Sequence, residues 1–395
     1  MNKGGQNMKN CRDAVIVAYG RSPIGRATKG TLVNEYPVKL ASEVLTGVLE
    51  KLPNLPLEEI DDVIVGCSTP EDVQGLNMAR IIAIRTGLPD EVCGVTVSRF
   101  CASGLQSIAY AANEIMADQA DILIAGGVES MSMLPMTALD LTALDPKIFK
   151  ERASCYLPMG QTAEVLTDMF DIQREDMDKY ALASHQKASA AQKAGAFKKE
   201  IVPVTYTDRE GAIDIFSEDE CIKHDASLEE MAKLPAAFRE NGSVTAGNSS
   251  PMNDGMAFVV MMSAEKAEEL GIKPIAKFLG YQVAGVDPVM MGIGPVYAVP
   301  KLLDRIGMDL DSFDVIELNE AFAVQTLICI EQLGLDIEKV NPRGGAIALG
   351  HPLGATGAIL MCKALSYLED TGGKYGLITM CIGAGMGAAG AIEML

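Results

Sequence analysis

The chain has no long hydrophobic run: its longest apolar stretches, such as MAFVVMM (256–262), are far too short to span a membrane. Histidine is scarce. His185, His224 and His351 stand far apart, and no C-x-x-C occurs, which removes the ligand spacing of a structural zinc site. Nine cysteines, an odd count without close pairing, argue against a disulfide framework and for a reducing cytoplasm. Positive charge is in deficit. With 33 basic against 53 acidic side chains the net charge is −20, which argues against nucleic acid or an anionic membrane as partner. The first residues, MNKGGQNMKNC, contain no apolar core and do not read as a secretory signal; a short ragged end before the strand DAVIVAYG (13–20) is expected. The last three residues, Glu393-Met394-Leu395, do not form a peroxisomal address.

What is present is a soluble α/β composition, 48% hydrophobic with 38 glycines, in a chain of 395 residues that is long enough for two or three domains. It also repeats itself. IDDVIVGC (60–67) returns in pattern as SFDVIELN (312–319), and CASGLQSIAYAANEI (101–115) as GATGAILMCKALSYL (354–368). Asp62 matches Asp314 and Gly104 matches Gly357, both about 250 residues apart, and each copy is followed by an apolar strand (DILIAGG, 121–127; YGLITMC, 375–381). A duplicated β-α-β unit predicts helix-covered mixed sheets. One half is placed at 1–130 and the other at 274–395. Residues 131–250, with methionine-rich turns and a polar helix over 174–195, read as an insertion on the first half. Residues 251–273 then return to complete that half. Pockets favour the place where such halves meet.

In VSRFCASGLQS (97–107), Cys101 sits where strand-like alternation gives way to a helical face. A helix N-terminus stabilises negative charge there, and cysteine profits because the thiolate is its reactive form. In the second half, NPRGGAIALGHPLGATG (341–357) sets His351 among glycines ahead of the matching helix. Cys381 ends the strand that follows. The glycines after it spell G-x-G-x-x-G from Gly385 to Gly390. Only five residues remain beyond, too few for the helix and acidic partner of a dinucleotide site, so a tight turn bringing N–H groups to a substrate oxygen is the better reading. Asn319 and Glu320 directly follow a strand, where they read as a helix cap or as polar groups at the shared crevice.

These stretches, with GGVESMSM (126–133) and GSVTAGNSSPMNDG (242–255), resemble the thiolases over nearly the whole chain: Cys101, Asn319-Glu320-Ala321-Phe322, Gly350-His351-Pro352 and Cys381-x-Gly383 stand in order at family-like spacing. The resemblance implies a five-layered α-β-α-β-α core built from two duplicated halves plus an inserted loop domain. It implies acyl transfer between a 3-ketoacyl-CoA and CoA, with no cofactor beyond CoA as substrate and no metal. Cys101 would be the nucleophile, His351 its base and Cys381 the acid/base at the α-carbon. Asn319 would position a water in one oxyanion hole, and the N–H groups of Cys101 and Gly383 would form the other. Ser250, Ala246 and Phe238 would meet the pantetheine arm, Lys223 the nucleotide phosphates, and Met159, Met291 and Phe322 the substrate. A homodimer or homotetramer, and a possible β-oxidation partner enzyme, are implied as well.

The sequence departs from the family pattern at Ser98, where many members carry asparagine, and at Pro251. YLPMGQTAE (156–164) has Pro158-Met159 where biosynthetic short-chain members carry His-Met, which leans toward the degradative 3-ketoacyl-CoA thiolases. The alternatives are synthesis of acetoacetyl-CoA on the same fold and a catalytically silent acyl-CoA-binding scaffold. A decarboxylating ketoacyl synthase is disfavoured by Cys381.

Overall fold

The structure, a computed structural model, describes residues 11–135 and 144–395. The ragged end expected at 1–10, and the 136–143 part of the insertion, lie outside the described residues. The first half runs β1 (Ala14–Arg21), β2 (Gly25–Arg26), α1 (Pro37–Leu49), β3 (Asp62–Gly66), α2 (Met78–Thr86), β4 (Val95–Val97), α3 (Ser103–Met116) and β5 (Ile122–Ser130). The insertion carries α4 (Pro146–Glu151), α5 (Met159–Phe170), α6 (Arg174–Lys193), the hairpin β6 (Val204–Thr207) and β7 (Ile213–Phe216), and α7 (Leu228–Ala232). The chain returns through β8 (Asn253–Ser263) and α8 (Ala264–Leu270). The second half follows as β9 (Ala276–Gly285), α9 (Gly294–Ile306), β10 (Val315–Leu318), α10 (Ala323–Leu333), α11 (Ala346–Leu349), α12 (Leu353–Thr371), β11 (Tyr375–Ile382) and β12 (Met386–Met394).

The strands line up as β10-β11-β12-β9-β1-β8-β5-β3-β4, with β2 against β8. Read outward from the β1–β9 junction, the two sides repeat: β1, β8, β5 and β3 on one, β9, β12, β11 and β10 on the other. The halves meet antiparallel over only two residue pairs, Val15 with Lys277 and Ile16 with Ala276. β1, β5 and β8 are buried along their whole length, so they carry unbroken apolar runs rather than alternation, as strands covered on both faces do.

The helices fall into three layers. α1 carries an apolar stripe of Leu40, Ala41, Val44, Leu45 and Val48 and packs with α2 on the outer face of the first half. α9 and α10 cover the second half through Val299, Leu302 and Cys329. Between the sheets lie α3 and α12, which touch each other and strands of both halves. α12 is buried along all but its last turn, and α3 is buried except for a strip around Tyr110 and Asn113. The result is the five-layered α-β-α-β-α core that the resemblance implies.

The insertion, which interrupts the first half in sequence, touches both halves. α5 and α6 pack on α10 and α11 of the second half, while β6 rests on α1. Arg21 of β1, fully buried, anchors it from the other side. Its guanidinium donates to Glu200 at 2.8 Å and in a fork to Asp219 at 2.8 and 2.9 Å.

α3 and α12 approach at backbone distance. A Cβ on Gly104 would stand 2.9 Å from both Ala358 N and Gly354 O, and one on Gly357 would stand 2.6 Å from Leu105 N. Gly357→Ala should therefore push the helices apart and lower the urea midpoint by the equivalent of about 1–3 kcal/mol. Gly285→Ala, with nothing within 4 Å of the new carbon, should stay within about 0.5 kcal/mol of the parent. Equal stability of the two variants in urea titrations would refute the close-contact reading.

Candidate active site

The corner that carries Cys101 is built by its neighbours. After β4 the chain turns through Phe100, whose φ of +46° is unusual for an aromatic residue and marks stored strain. A 3-10 turn, Phe100–Ala102, leads into α3. Ser103 clamps the turn: its hydroxyl donates to Phe100 O at 2.6 Å and accepts from the Arg99 N–H at 2.9 Å. Ser103 thus holds the corner and Gly104 lets it meet the other half.

His351 arrives from the matching corner. Its backbone N–H donates to Asn253 Oδ1 at 2.9 Å, and Gly350, at φ +122°, takes a turn whose Cβ would strike the Asn253 amide. The ring lies 2.6 Å by Nδ1 from Thr356 Oγ1 and 3.4 Å by Nε2 from Asn319 Nδ2. Cys381 closes the group from β11. Cys101, His351 and Cys381, all nearly inaccessible, line one cavity of about 190 Å³.

Met159, Met291, Phe238, Phe322 and Ser250 line the same cavity, joined by Met131, Met252, Pro251 and Leu353. Phe238 and Phe322 meet edge to face, 5.9 Å between centroids. Gly383 is buried with its N–H directed at the Cys101 sulfur, and Asn319 sits behind His351. The structure does not bring Ala246 or Lys223 to this cavity. Both are exposed, and Lys223 lines a separate recess with Ser189, Lys193 and His224.

Three side chains support these loops, and of them only Glu320 stands out in the sequence, as a polar group at the crevice. Glu320 is buried and fully engaged, accepting from Tyr180, Ser184, Asn341 and the Ile347 N–H, so it braces α6 and the 341–347 loop. Glu129 accepts from the Ser68 and Gly354 N–H groups and from Gln74, tying the start of α12 to the first half. Thr356, one turn into α12, is the third. Glu320 and Glu129 join residues far apart in the chain, so no local pattern announces their partners; Thr356 bonds its near neighbours His351 and Pro352.

The electrostatics correct one expectation. By the sequence reading, the helix end and His351 together can shift the thiol to a useful range. Instead burial pushes Cys101 up to about 11, against the Gly383 N–H, with the Glu129 charge adding to the rise. Burial takes His351 down to about 4, and it raises Cys381 well above an ordinary thiol. At neutral pH burial thus favours the uncharged form of both groups, a thiol and an imidazole. Among the described residues no group of three His, Cys, Asp or Glu is placed to hold a metal ion.

Residues 14–265 match the thiolase N-terminal domain and residues 272–394 the thiolase C-terminal domain. The chain belongs to the thiolase family. Within it, the chain is 45% identical to the 3-ketoacyl-CoA thiolase of Bacillus subtilis, covering 97% of this chain and 100% of that one. Among solved structures it superposes on the Bacillus anthracis acetyl-CoA acetyltransferase with a TM-score of 0.89 at 40% identity, covering 98% of this chain and 100% of that one. It superposes equally, TM-score 0.89, on human mitochondrial 3-ketoacyl-CoA thiolase at 36% identity, covering 97% and 99%.

A thiol held up to about 11 should alkylate with iodoacetamide at a rate that climbs with pH through the alkaline range, without a neutral plateau. His351→Asn should slow the reaction at neutral pH and converge on the parent as pH rises. A neutral plateau in the parent would instead reveal a preformed thiolate–imidazolium pair.

Proposed function

We propose that the chain is an acyl-CoA C-acyltransferase that cleaves 3-ketoacyl-CoA with CoA, releasing acetyl-CoA and a shortened acyl-CoA in fatty acid β-oxidation. The observation that carries this reading is the convergence of two thiols and one imidazole on a single apolar cavity. Acyl transfer alone needs one sulfur and a base. A carbon–carbon bond needs a second proton-transfer group as well.

As the Cys101 sulfur attacks the 3-keto carbon, its proton passes to His351 Nε2. The alkoxide that forms is met by the N–H groups of Cys101 and Gly383. When it collapses, the C2–C3 bond breaks and leaves the acyl group on Cys101. The electron pair moves onto the acetyl-CoA enolate, whose oxygen faces the His351 imidazolium beside Asn319, and C2 takes the Cys381 proton. CoA then enters, gives its thiol proton to Cys381 and attacks the acyl-Cys101 thioester, and the departing Cys101 sulfur recovers its proton from His351. Apart from CoA, a substrate, the sequence of steps calls for no cofactor.

The reverse sequence makes acetoacetyl-CoA from two acetyl-CoA with the same residues and is the second reading. The degradative direction is supported by Met131, Met252 and Leu353, which extend an apolar lining suited to a longer acyl chain, and by relatives named 3-ketoacyl-CoA thiolase. A silent scaffold would have no need of three reactive groups in one cavity. Self-association as a homodimer or homotetramer is supported by the open β4 edge of the sheet, where Leu76, Val95 and Phe100 are exposed. Nine unpaired cysteines support a reducing compartment, the cytoplasm.

Cys381→Ala should still form an acyl-enzyme on Cys101 with acetyl-CoA, seen by intact mass, yet lose thiolysis by roughly 10²–10⁴-fold. The parent should cleave medium-chain 3-ketoacyl-CoA more efficiently than acetoacetyl-CoA. Near-normal thiolysis by folded Cys381→Ala would move the proton-transfer role elsewhere, and a preference for acetoacetyl-CoA would favour the biosynthetic reading.

A further inference from the structure

We propose that Thr356 is a positioning residue that fixes His351 in the tautomer protonated at Nδ1, leaving Nε2 as the base. The inference rests on the reading of His351 as the base of Cys101.

Its starting point is where one hydroxyl proton can go. Thr356 Oγ1 lies 2.6 Å from His351 Nδ1 and 3.2 Å from Pro352 O, and both side chains are buried. A carbonyl oxygen can only accept. A helical threonine hydroxyl commonly bonds the carbonyl four residues back, and Pro352 stands at that position. With its single proton given to Pro352 O, Oγ1 is left as an acceptor toward the ring. A contact of 2.6 Å then requires a proton on Nδ1, since two lone pairs would repel at that distance.

The other edge of the ring agrees. Asn319 Nδ2 stands 3.4 Å from Nε2 while Asn319 Oδ1 has no partner, and an amide placed this way presents a donor to a lone pair on Nε2. Which ring nitrogen holds the proton is set by the hydrogen bond the other makes. Because Oγ1 accepts from Nδ1–H in both the neutral and the protonated ring, Nε2 can take the Cys101 proton and return it without the ring turning. The opposite tautomer would direct an N–H at the sulfur and leave nothing to receive its proton. In a serine protease triad, holding the imidazole in the wrong tautomer costs about 10⁴ in turnover.

The chain has three histidines, so ¹⁵N-histidine labelling gives a spectrum simple enough to assign, with His351 identified by its loss in His351→Asn. The parent should show Nδ1 protonated and Nε2 unprotonated. Thr356→Val, which keeps the shape and removes the oxygen, should redistribute that proton and lower kcat at least roughly tenfold, the lower end of the cost of losing such a partner of a functional imidazole, with KM little changed. Thr356→Ser should retain both the spectrum and the turnover. A parent spectrum with the proton on Nε2 would overturn the proposal, and this holds even if Thr356→Val fails to fold. So would a Thr356→Val protein with unaltered spectrum and kcat, or a Thr356→Ser protein as impaired as Thr356→Val. Full turnover by His351→Asn would instead overturn the assignment of His351 as base, whatever the tautomer.

Discussion

Backbone-to-backbone contact between α3 and α12 is the constraint on which the other features depend. Each helix begins at a corner that presents a reactive side chain, Cys101 on one and His351 on the other. The corners face the same cavity only because Gly104 and Gly357 allow the helices to meet without a side chain between them. Neighbouring glycines extend the seam: a Cβ on Gly354 would press on Ser68 N and one on Gly127 on Gly354 O. Since the sheets share only two residue pairs at β1–β9, the central helices carry most of the cohesion between halves. The same contact therefore holds the fold together and sets the distance across which a proton must travel.

Around that contact several buried polar groups are bonded across elements, while Asn319 Oδ1 is left without a partner. Glu320, Glu129 and Asn253 each accept or donate across two or more elements, so the loops that carry His351 are held from three directions. Such bracing is costly to assemble in an apolar interior, and its return is precision at the reacting atoms. The same burial determines the resting protonation. Removing water from Cys101 and His351 disfavours the charged form of both, and neither a helix end nor one N–H outweighs that.

Sequence reading reached the features that are local or repeated. The match of Gly104 with Gly357 foretold the duplicated halves, and the change of period at Cys101 foretold its corner. Asn319, His351 and Cys381 could be picked out because each closes a strand or opens a helix in the second copy. Thr356 escaped notice because its partner is an imidazole whose orientation depends on Asn253 and Asn319, residues 103 and 37 positions away. Tyr180 and Ser184 read only as residues of a polar helix; their carboxylate partner is 140 and 136 residues distant. The rise that burial gives Cys101 is not legible in the sequence for a related reason. Helix ends are visible in a sequence, but the closure of a pocket by Met159, Phe238 and Leu353 is not.

A sulfur held as a thiol also has consequences outside the reaction. Peroxide and soft electrophiles attack the thiolate, so susceptibility follows the small fraction of Cys101 that is ionised. An enzyme with a permanently ionised nucleophile would be open to overoxidation between turnovers. Here burial keeps that fraction small at neutral pH. The walls that enclose the cavity thus also limit how much of the sulfur is open to oxidation.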